Sequence, residues 1–246
     1  MRNTILVIHT IDLCQRSGII VNMNITKKGT VYILEAIDGG GKDTQADLLV
    51  DRLDMVKMRL PDYSKDTGKL LKKAIKTNKK EMTEEYFQSL MIANYMDVFA
   101  NDVIPTLEEG KDVVMTRAWA SCFAYGRAFG ADKSALDSLI SSVKQYLNSQ
   151  GVDVKEIYLD ISVGEAMRRI NARKSKQAVE PIFENYETLH AVHDNYKKYS
   201  FDYTFDGTES MEKVYANVVG VVKAKEFSSY KAPLIERVAK GIACAG

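Results

Sequence analysis

A glycine-rich stretch near the start of the chain, EAIDGGGKDTQ at residues 35–45, has the residue types that bind phosphate. Successive glycines let backbone N–H groups converge on an anion, and Lys42 adds a full positive charge. The stretch departs from the Walker A pattern G-x-x-x-x-G-K-[ST] at two places, since Ala36 stands at the first glycine and Asp43 at the Mg²⁺-binding Ser/Thr. The indicated chemistry is binding of a nucleotide's phosphates by a loop with altered parts.

The segments on either side of this loop have the patterns that a phosphate loop needs. TVYILEAI at 30–37 is rich in β-branched residues and predicts a strand, while Leu48, Leu49 and Leu53 are spaced for one face of a helix. The loop therefore joins a strand to the amino end of a helix, where partial positive charge favours an anion. This order favours phosphate binding over a plain flexible turn with a surface lysine.

Asp43 is the altered position with the larger chemical consequence. A carboxylate beside phosphate oxygens is repelled unless Mg²⁺ lies between them or the side chain points away. The motif alone leaves both arrangements open.

Further strands and helices alternate along the chain. Strands are predicted at 55–60, 112–116, 154–161 and 201–205, and helices from Thr83, from a capping box at 162–165, over 184–199, and after Thr208 or Ser210. This alternation predicts an α/β fold with a parallel sheet covered on both faces. Ligands of such sheets bind beyond the carboxyl ends of the strands, so we expect the site among the loops that follow them.

The length and composition of the chain restrict the kinds of protein and of binding partner that we expect. The 246 residues suit one domain with appendages, which we place at 1–28 as an extension and at 226–246 as a tail with helical spacing. The 34 basic and 33 acidic side chains nearly cancel, so we expect no nucleic-acid or membrane partner. The three cysteines show no metal-ligand spacing, which favours a reducing cytoplasm.

Longer segments resemble the thymidylate kinase family. ILEAIDGGGKDTQ is similar to the family's FEGxDGxGK[ST]TQ, RLPDY to RFPxR, MIANYMD to FSANRWE, and VVMTRAWASCFAYG to VVxDRYxxSxxAYQ. The resemblance covers about residues 29–225 and implies a three-layer P-loop NTPase fold, with a central parallel sheet of about five strands flanked by helices. It also implies MgATP as phosphate donor and a homodimer.

The resemblance implies roles for the matching positions. The donor phosphates would be held by Gly39, Gly40, Gly41, Lys42, Asp43 and Thr44. The acceptor nucleotide would be bound by Asp38, Arg59, Leu60, Met91, Tyr95, Arg117, Ser121 and Tyr125. Arginine suits this work because its planar fork binds phosphate at two points.

A lid is expected at about 169–180. Family members with glycine rather than arginine inside the phosphate loop usually carry the catalytic arginine in the lid, and this loop has Gly39. Arg173 is the candidate, with Arg169, Lys174 and Lys176 as alternatives. The expected catalytic residues are therefore Lys42, Asp43, Arg117 and Arg173.

Two departures from the family look like one exchange. The family has Ser/Thr after the lysine and Asp before the arginine of its DR pair, whereas this chain has Asp43 and Thr116. If both positions face the same metal, carboxylate and hydroxyl have changed places without changing the total charge. We hypothesise that Asp43 ligates Mg²⁺ directly or through water, with Thr116 in the lesser role.

The base pocket departs further. Met91 stands where the family stacks an aromatic ring, Tyr95 where it commonly has arginine, and Gly126 where a glutamine often follows the tyrosine. Losing arginine and glutamine removes fixed hydrogen bonds to the base. Thymine leads as the base, and another pyrimidine or a modified base is the alternative.

The expected reaction is phosphoryl transfer from MgATP to a deoxynucleoside monophosphate, with dTMP leading, in the synthesis of dTTP. Two alternatives stay open. Ala36, Asp43 and Thr116 together suggest a nucleotide-binding regulator with little or no turnover. A kinase with another donor or acceptor, such as polyphosphate, would also use an Asp-containing phosphate loop.

Overall fold

Residues 28–77, 82–174 and 183–224 are described by the structure, a computed structural model. Their strands form one five-stranded sheet in the order β2-β3-β1-β4-β5, and every neighbouring pair is parallel. The strands are β1 Thr30–Glu35, β2 Val56–Arg59, β3 Val113–Thr116, β4 Asp153–Asp160 and β5 Tyr203–Asp206. The predicted α/β fold with about five parallel strands is confirmed.

Helices connect successive strands. They are α1 Lys42–Leu53, α2 Asp66–Thr77, α3 Glu84–Val98, α4 Ile104–Glu108, α5 Trp119–Ala128, α6 Lys133–Ser149, α7 Val163–Lys174, α8 Tyr186–Tyr196 and α9 at 211–224. Within the described ranges, no helix has both the length and the apolar character that a bilayer crossing requires. The expected extension at 1–28, apart from its last residue, and the tail at 226–246 lie outside the described residues.

The sheet is buried on both faces because successive side chains of β1 point to opposite sides. Val31 and Ile33 pack in a cluster with residues of α3 and α6, such as Val98. Tyr32 and Leu34 pack in a second cluster with residues of α1 and α9. The period of two along a strand thus produces a three-layer fold, which explains why β1 is fully buried along its length.

The helix that follows Thr83 changes its hydrogen-bonding pattern near its far end. The helical rise continues beyond Val98 through a π-helical stretch, Phe99–Val103, before α4 begins. Pro105 lacks a backbone N–H, and the Ile104 N–H bonds to the Phe99 carbonyl five residues back. The wider turn lets the chain pass the proline without ending the helix.

The predicted helix starts are correct in position, but one differs in detail. Thr83 accepts a hydrogen bond from the Tyr86 N–H, and Ser210 accepts one from the Lys213 N–H. At α7, Ser162 accepts from the Glu165 N–H as a capping box requires. The carboxylate of Glu165 instead accepts from Arg168 and Arg169, so the reciprocal half of the predicted box is wrong.

Candidate active site

A cavity of about 750 Å³ lies where the carboxyl ends of β1, β2 and β3 meet the phosphate loop. It brings together most of the residues that the sequence predicts for the site. Those lining it are Asp38, Gly39, Gly40, Gly41, Lys42, Asp43, Thr44, Arg59, Met91, Arg117, Ser121, Tyr125 and Arg173. Residues separated by more than a hundred positions in sequence therefore share one chamber.

The phosphate loop needs its glycines for two separate reasons. Gly39 and Gly41 have φ angles of 82° and 87°, a left-handed conformation that side chains rarely adopt. A Cβ at Gly40 would lie 2.4 Å from the Cβ of Ala36. Ala36 is therefore tolerated at the first glycine position because Gly40 leaves room for its methyl group.

Asp38 sits between two cations at the floor of the cavity. It forms an ion pair with Arg117 and lies 3.6 Å from the Lys42 Nζ, and it accepts a hydrogen bond from the Tyr125 hydroxyl at 3.1 Å. Burial alone would raise the pKa of the Asp38 carboxyl, but the charges of Arg117 and Lys42 hold it well below its usual range. Asp38 is thus a fixed anion that keeps both cations in place.

Lys42 is the first residue of α1 and is buried at the helix start. Burial and the nearby charge of Arg117 lower the pKa of its ammonium group, while Asp38 and Asp43 oppose that shift. The ammonium group, the glycine N–H groups and the helix end together concentrate positive charge where a phosphate would enter.

Arg117 is held rigidly by its backbone and its side chain. Its φ angle is 67°, a strained value for a residue with a side chain, and its N–H donates to the Leu34 carbonyl at 3.1 Å. The guanidinium donates to the Ser121 Oγ and the Tyr125 hydroxyl, both at 3.2 Å, besides its pairing with Asp38. The fork is therefore oriented before any ligand arrives.

Asp43 and Thr116 are the two residues of the proposed exchange, at the start of α1 and the end of β3. The Thr116 hydroxyl is near enough to the Asp43 carboxyl to help lower the pKa of that group. Burial alone would raise the pKa of Asp43, but Lys42 and Arg59 hold it below its usual value. The Asp43 side chain is 47% exposed and lines the cavity, whereas Thr116 is buried behind it.

Two predicted base-binding residues lie outside the cavity lining. Leu60 is fully buried in the core cluster beside β2. Tyr95 is also fully buried, and its hydroxyl donates to the Ala118 carbonyl at 3.2 Å. A phenol can be buried with one hydrogen bond at much lower cost than the guanidinium of the family's arginine, so Tyr95 packs inward and Met91 alone of this group faces the cavity.

The lid region is described in part. Arg173 lines the cavity and its guanidinium pairs with Glu184 at 2.6 Å, with half of the Arg173 side chain exposed. Arg169 also lines the cavity, and donates to Glu165 and to the Gly207 carbonyl. The structure therefore places two cations of α7 at the cavity, in the region where the lid is expected. Residues 175–182, which include Lys176, lie outside the described residues.

Sequence patterns missed Glu35, the last residue of β1. Its carboxylate is fully buried and accepts hydrogen bonds from the Ala118 N–H at 2.6 Å, the Ser121 N–H at 3.3 Å, the Ser121 Oγ at 2.7 Å and the Tyr196 hydroxyl at 2.9 Å. Burial raises the pKa of this carboxyl, and the hydrogen bonds oppose the shift. A lone acid in an otherwise apolar strand was the available signal.

Glu35 caps helix α5 from another part of the chain. The N-cap position of α5 is Ala118, which has no side chain able to accept a hydrogen bond. The Ala118 and Ser121 N–H groups are the same two donors that a local capping box would satisfy. Since Ala118 follows Arg117, this contact also fixes the turn that aims the arginine.

Replacing Glu35 with alanine is expected to lower the free energy of unfolding by about 2–4 kcal/mol, because several buried donors lose their acceptor. Tyr196→Phe, which removes one of those donors and leaves the carboxylate, should cost about 1 kcal/mol. Urea denaturation of the two variants measures both values. Equal losses for the two would contradict the capping role.

A family model for thymidylate kinase matches residues 34–217, which is most of the chain. The chain belongs to the thymidylate kinase family. Membership confirms the resemblance found in the motifs.

Relatives within the thymidylate kinase family support the same assignment. A probable thymidylate kinase of Thermococcus kodakarensis is 30% identical over 207 residues, which are 78% of this chain and 96% of that protein. One from Thermococcus gammatolerans is 30% identical over 215 residues, covering 81% of this chain and 99% of that protein. The likeness therefore extends over nearly the whole length of these proteins.

A solved structure of thymidylate kinase from Candida albicans is similar in fold. It superimposes with a TM-score of 0.63 at 17% identity, over 81% of this chain and 93% of that chain. The three-layer arrangement of the sheet and its helices is thus that of a P-loop thymidylate kinase.

Proposed function

We propose that the protein transfers the γ-phosphoryl group of MgATP to dTMP, giving ADP and dTDP. An oxygen of the dTMP phosphate attacks the γ-phosphorus, the bond from that phosphorus to the β–γ bridging oxygen breaks, and the electron pair leaves on ADP. The arrangement that carries this proposal is one cavity that holds both the phosphate loop and the oriented Arg117 in a chain of the thymidylate kinase family.

This transfer needs no general base. A phosphate monoester has its second pKa near 6, so the acceptor is largely dianionic at neutral pH. The protein's work is to align the two phosphates and to offset their charge. That accounts for a site built from cations and fixed dipoles.

The residues divide that work between donor and acceptor. Lys42 and the glycine N–H groups bind the β- and γ-phosphates, since they converge at the start of α1. Arg117 and Arg59 bind the acceptor phosphate from the ends of β3 and β2. Arg173 adds charge from the lid side, since it lines the cavity and half of its side chain is exposed.

The donor set around Asp43 fits Mg²⁺. A carboxylate facing the cavity, beside a hydroxyl, supplies the hard oxygen ligands that this ion takes together with phosphate oxygens. Bound Mg²⁺ would neutralise charge on the β- and γ-phosphates. Asp43 is the ligand in our proposal, and Thr116, whose hydroxyl lies near the Asp43 carboxylate, has the lesser role.

Exchanging the two residues tests this assignment. Asp43→Thr alone should weaken Mg²⁺-dependent ATP binding by roughly tenfold or more, because the site loses its carboxylate. The double variant Asp43→Thr with Thr116→Asp should recover most of that loss, since it restores one carboxylate at the proposed Mg²⁺ site. Calorimetric titration of ATP with and without Mg²⁺ measures both. Unchanged or improved Mg²⁺ dependence in Asp43→Thr alone would contradict the assignment.

The acceptor is tested by measuring ADP formation from MgATP with dTMP, dUMP, dCMP, dGMP, dAMP and ribonucleotide controls. We expect the highest kcat/KM with dTMP. A higher kcat/KM for another monophosphate would support kinase activity and identify that monophosphate as the preferred substrate. Binding of ATP without turnover of any acceptor would favour a nucleotide-binding regulator.

We also propose that the protein acts as a homodimer in the cytoplasm, as the family resemblance implies. Family membership supports the proposal of a dimer. Light scattering at micromolar concentration should give the mass of two chains. A mass of one chain under assay conditions, with full activity, would contradict the dimer.

A further inference from the structure

One face of helix α3 forms a wall of the cavity. Glu84, Phe87, Gln88 and Met91 all line it, at the spacing that places side chains on one side of a helix. The family resemblance assigned a substrate role only to Met91 and Tyr95 of this helix. Glu84 and Gln88 bring polar groups to the wall that the resemblance did not predict.

Gln88 holds a hydrogen-bond acceptor that no group in the described part of the chain satisfies. The residue is 2% exposed, and its Oε1 has no hydrogen-bond partner. Its Nε2 donates to the Glu84 Oε1 at 2.8 Å. Because a carboxylate only accepts, this contact fixes which end of the amide is nitrogen and leaves the oxygen as the unpaired atom. A buried acceptor without a donor is costly, and a bound ligand's N–H would remove that cost.

Gly126 lies directly beside the Gln88 side chain. A Cβ at Gly126 would lie 3.3 Å from the Gln88 Cγ and 3.0 Å from the Leu136 Cδ2. The space for a side chain at position 126 is therefore taken up by Gln88 and Leu136. A glutamine at position 126 would not fit beside Gln88 and Leu136, so the amide on this side of the cavity is that of Gln88.

We propose that the Gln88 carboxamide oxygen reads the base of the acceptor nucleotide, by accepting a hydrogen bond from the ring N3–H of thymine or uracil. This rests on the proposed function. Cytosine has an acceptor at N3 and would face the Gln88 oxygen with a lone pair instead of a proton. The terminal torsion of glutamine is soft, so the oxygen can follow the base without moving the helix. Gln88 is thus a specificity residue and takes no part in the chemical step.

The test compares nucleotide binding to the wild type, Gln88→Met and Ser89→Ala. Methionine keeps the length and apolar stem of Gln88 and removes the amide. Ser89 is the matched control because it is exposed on the same helix and its Oγ bonds only to the Glu85 carbonyl. Calorimetry gives Kd for dTMP, dUMP, dCMP and ATP without any need for turnover.

Gln88→Met should weaken dTMP and dUMP binding by roughly five- to tenfold, while the Kd values of dCMP and ATP change by less than about twofold. Ser89→Ala should bind all four as the wild type does. Circular dichroism establishes whether Gln88→Met is folded, and Gln88→Leu replaces it if it is not.

Three results would overturn the inference: unchanged dTMP binding in Gln88→Met, an equal loss for dTMP and dCMP, or a wild type that prefers dCMP. An equal loss would mean that Gln88 only packs against the nucleotide. The proposed function is judged separately by turnover of the wild type. A wild type that binds dTMP through Gln88 without phosphorylating it would support the role of Gln88 and contradict the proposed kinase activity.

Discussion

Replacing Lys42 with methionine should lower kcat by on the order of 10²- to 10³-fold, the loss typical of removing one group that stabilises transition-state charge. Lys42 is the buried cation at the start of α1, and Asp38 holds it 3.6 Å away. Methionine preserves most of the volume and removes the charge. The measurement is kcat for ADP formation under saturating ATP and dTMP.

Lys111→Met is the control for this variant. Lys111 forms an exposed ion pair with Glu109 and does not line the cavity, so its loss should leave kcat unchanged. Binding of ATP to Lys42→Met by calorimetry separates loss of binding from loss of chemistry. A kcat within about tenfold of the wild type, with the variant folded, would contradict the role of Lys42.

Arg117→Lys should lower kcat/KM for dTMP by on the order of 10²-fold or more, although the charge is kept. The guanidinium contacts Asp38, Ser121 and Tyr125 at once, and a single ammonium group cannot reproduce that fork. Both residues carry the same backbone penalty at φ 67°, so the comparison isolates the side chain. The measurement is kcat/KM for dTMP beside the KM for ATP.

Arg127→Lys provides the matched control for Arg117→Lys. Arg127 lies on α5 and donates to the Ala131 carbonyl outside the cavity. We expect its replacement to leave both nucleotide parameters unchanged. If Arg117→Lys altered only the KM for ATP, Arg117 would serve the donor and the assignment to the acceptor phosphate would be wrong.

The sheet and the phosphate loop were predictable because their signals are local. The apolar run of β1, the glycines and the helical spacing of α1 follow one another within a short segment. Patterns above did not predict α6, although Leu136, Ile140, Val143 and Leu147 are buried at helical spacing after the N-cap Asp132. The spacing of these four residues is sufficient to predict the helix from sequence.

Glu35 and Gln88 could not be assigned from sequence because the neighbours that reveal their roles come from distant parts of the chain. The carboxylate of Glu35 finds its donors at Ala118, Ser121 and Tyr196, and only the folded sheet brings these groups together. The position of the Gln88 side chain beside Gly126 is known only from the folded structure. Both depend on how helices pack, which local patterns do not determine.

Positions carried over by resemblance depend on the side chain that occupies them. The Thr116 hydroxyl lies near the Asp43 carboxyl, so the two residues of the proposed exchange, taken from separate motifs, belong to one region of the site. Tyr95 does not line the cavity, because its phenol is buried with a hydrogen bond to Ala118. A matching position predicted where the backbone lies but not which way a different side chain would turn.

The most direct test of phosphoryl transfer follows the γ-phosphorus itself. ATP labelled at the γ-phosphate is incubated with Mg²⁺, dTMP and the protein, and the products are separated. The label should appear in dTDP, in amounts equal to the ADP formed, and Lys42→Met should slow its appearance by on the order of 10²- to 10³-fold. Label released as inorganic phosphate, or left in ATP while dTMP is bound, would contradict the assignment of this chain as a dTMP kinase.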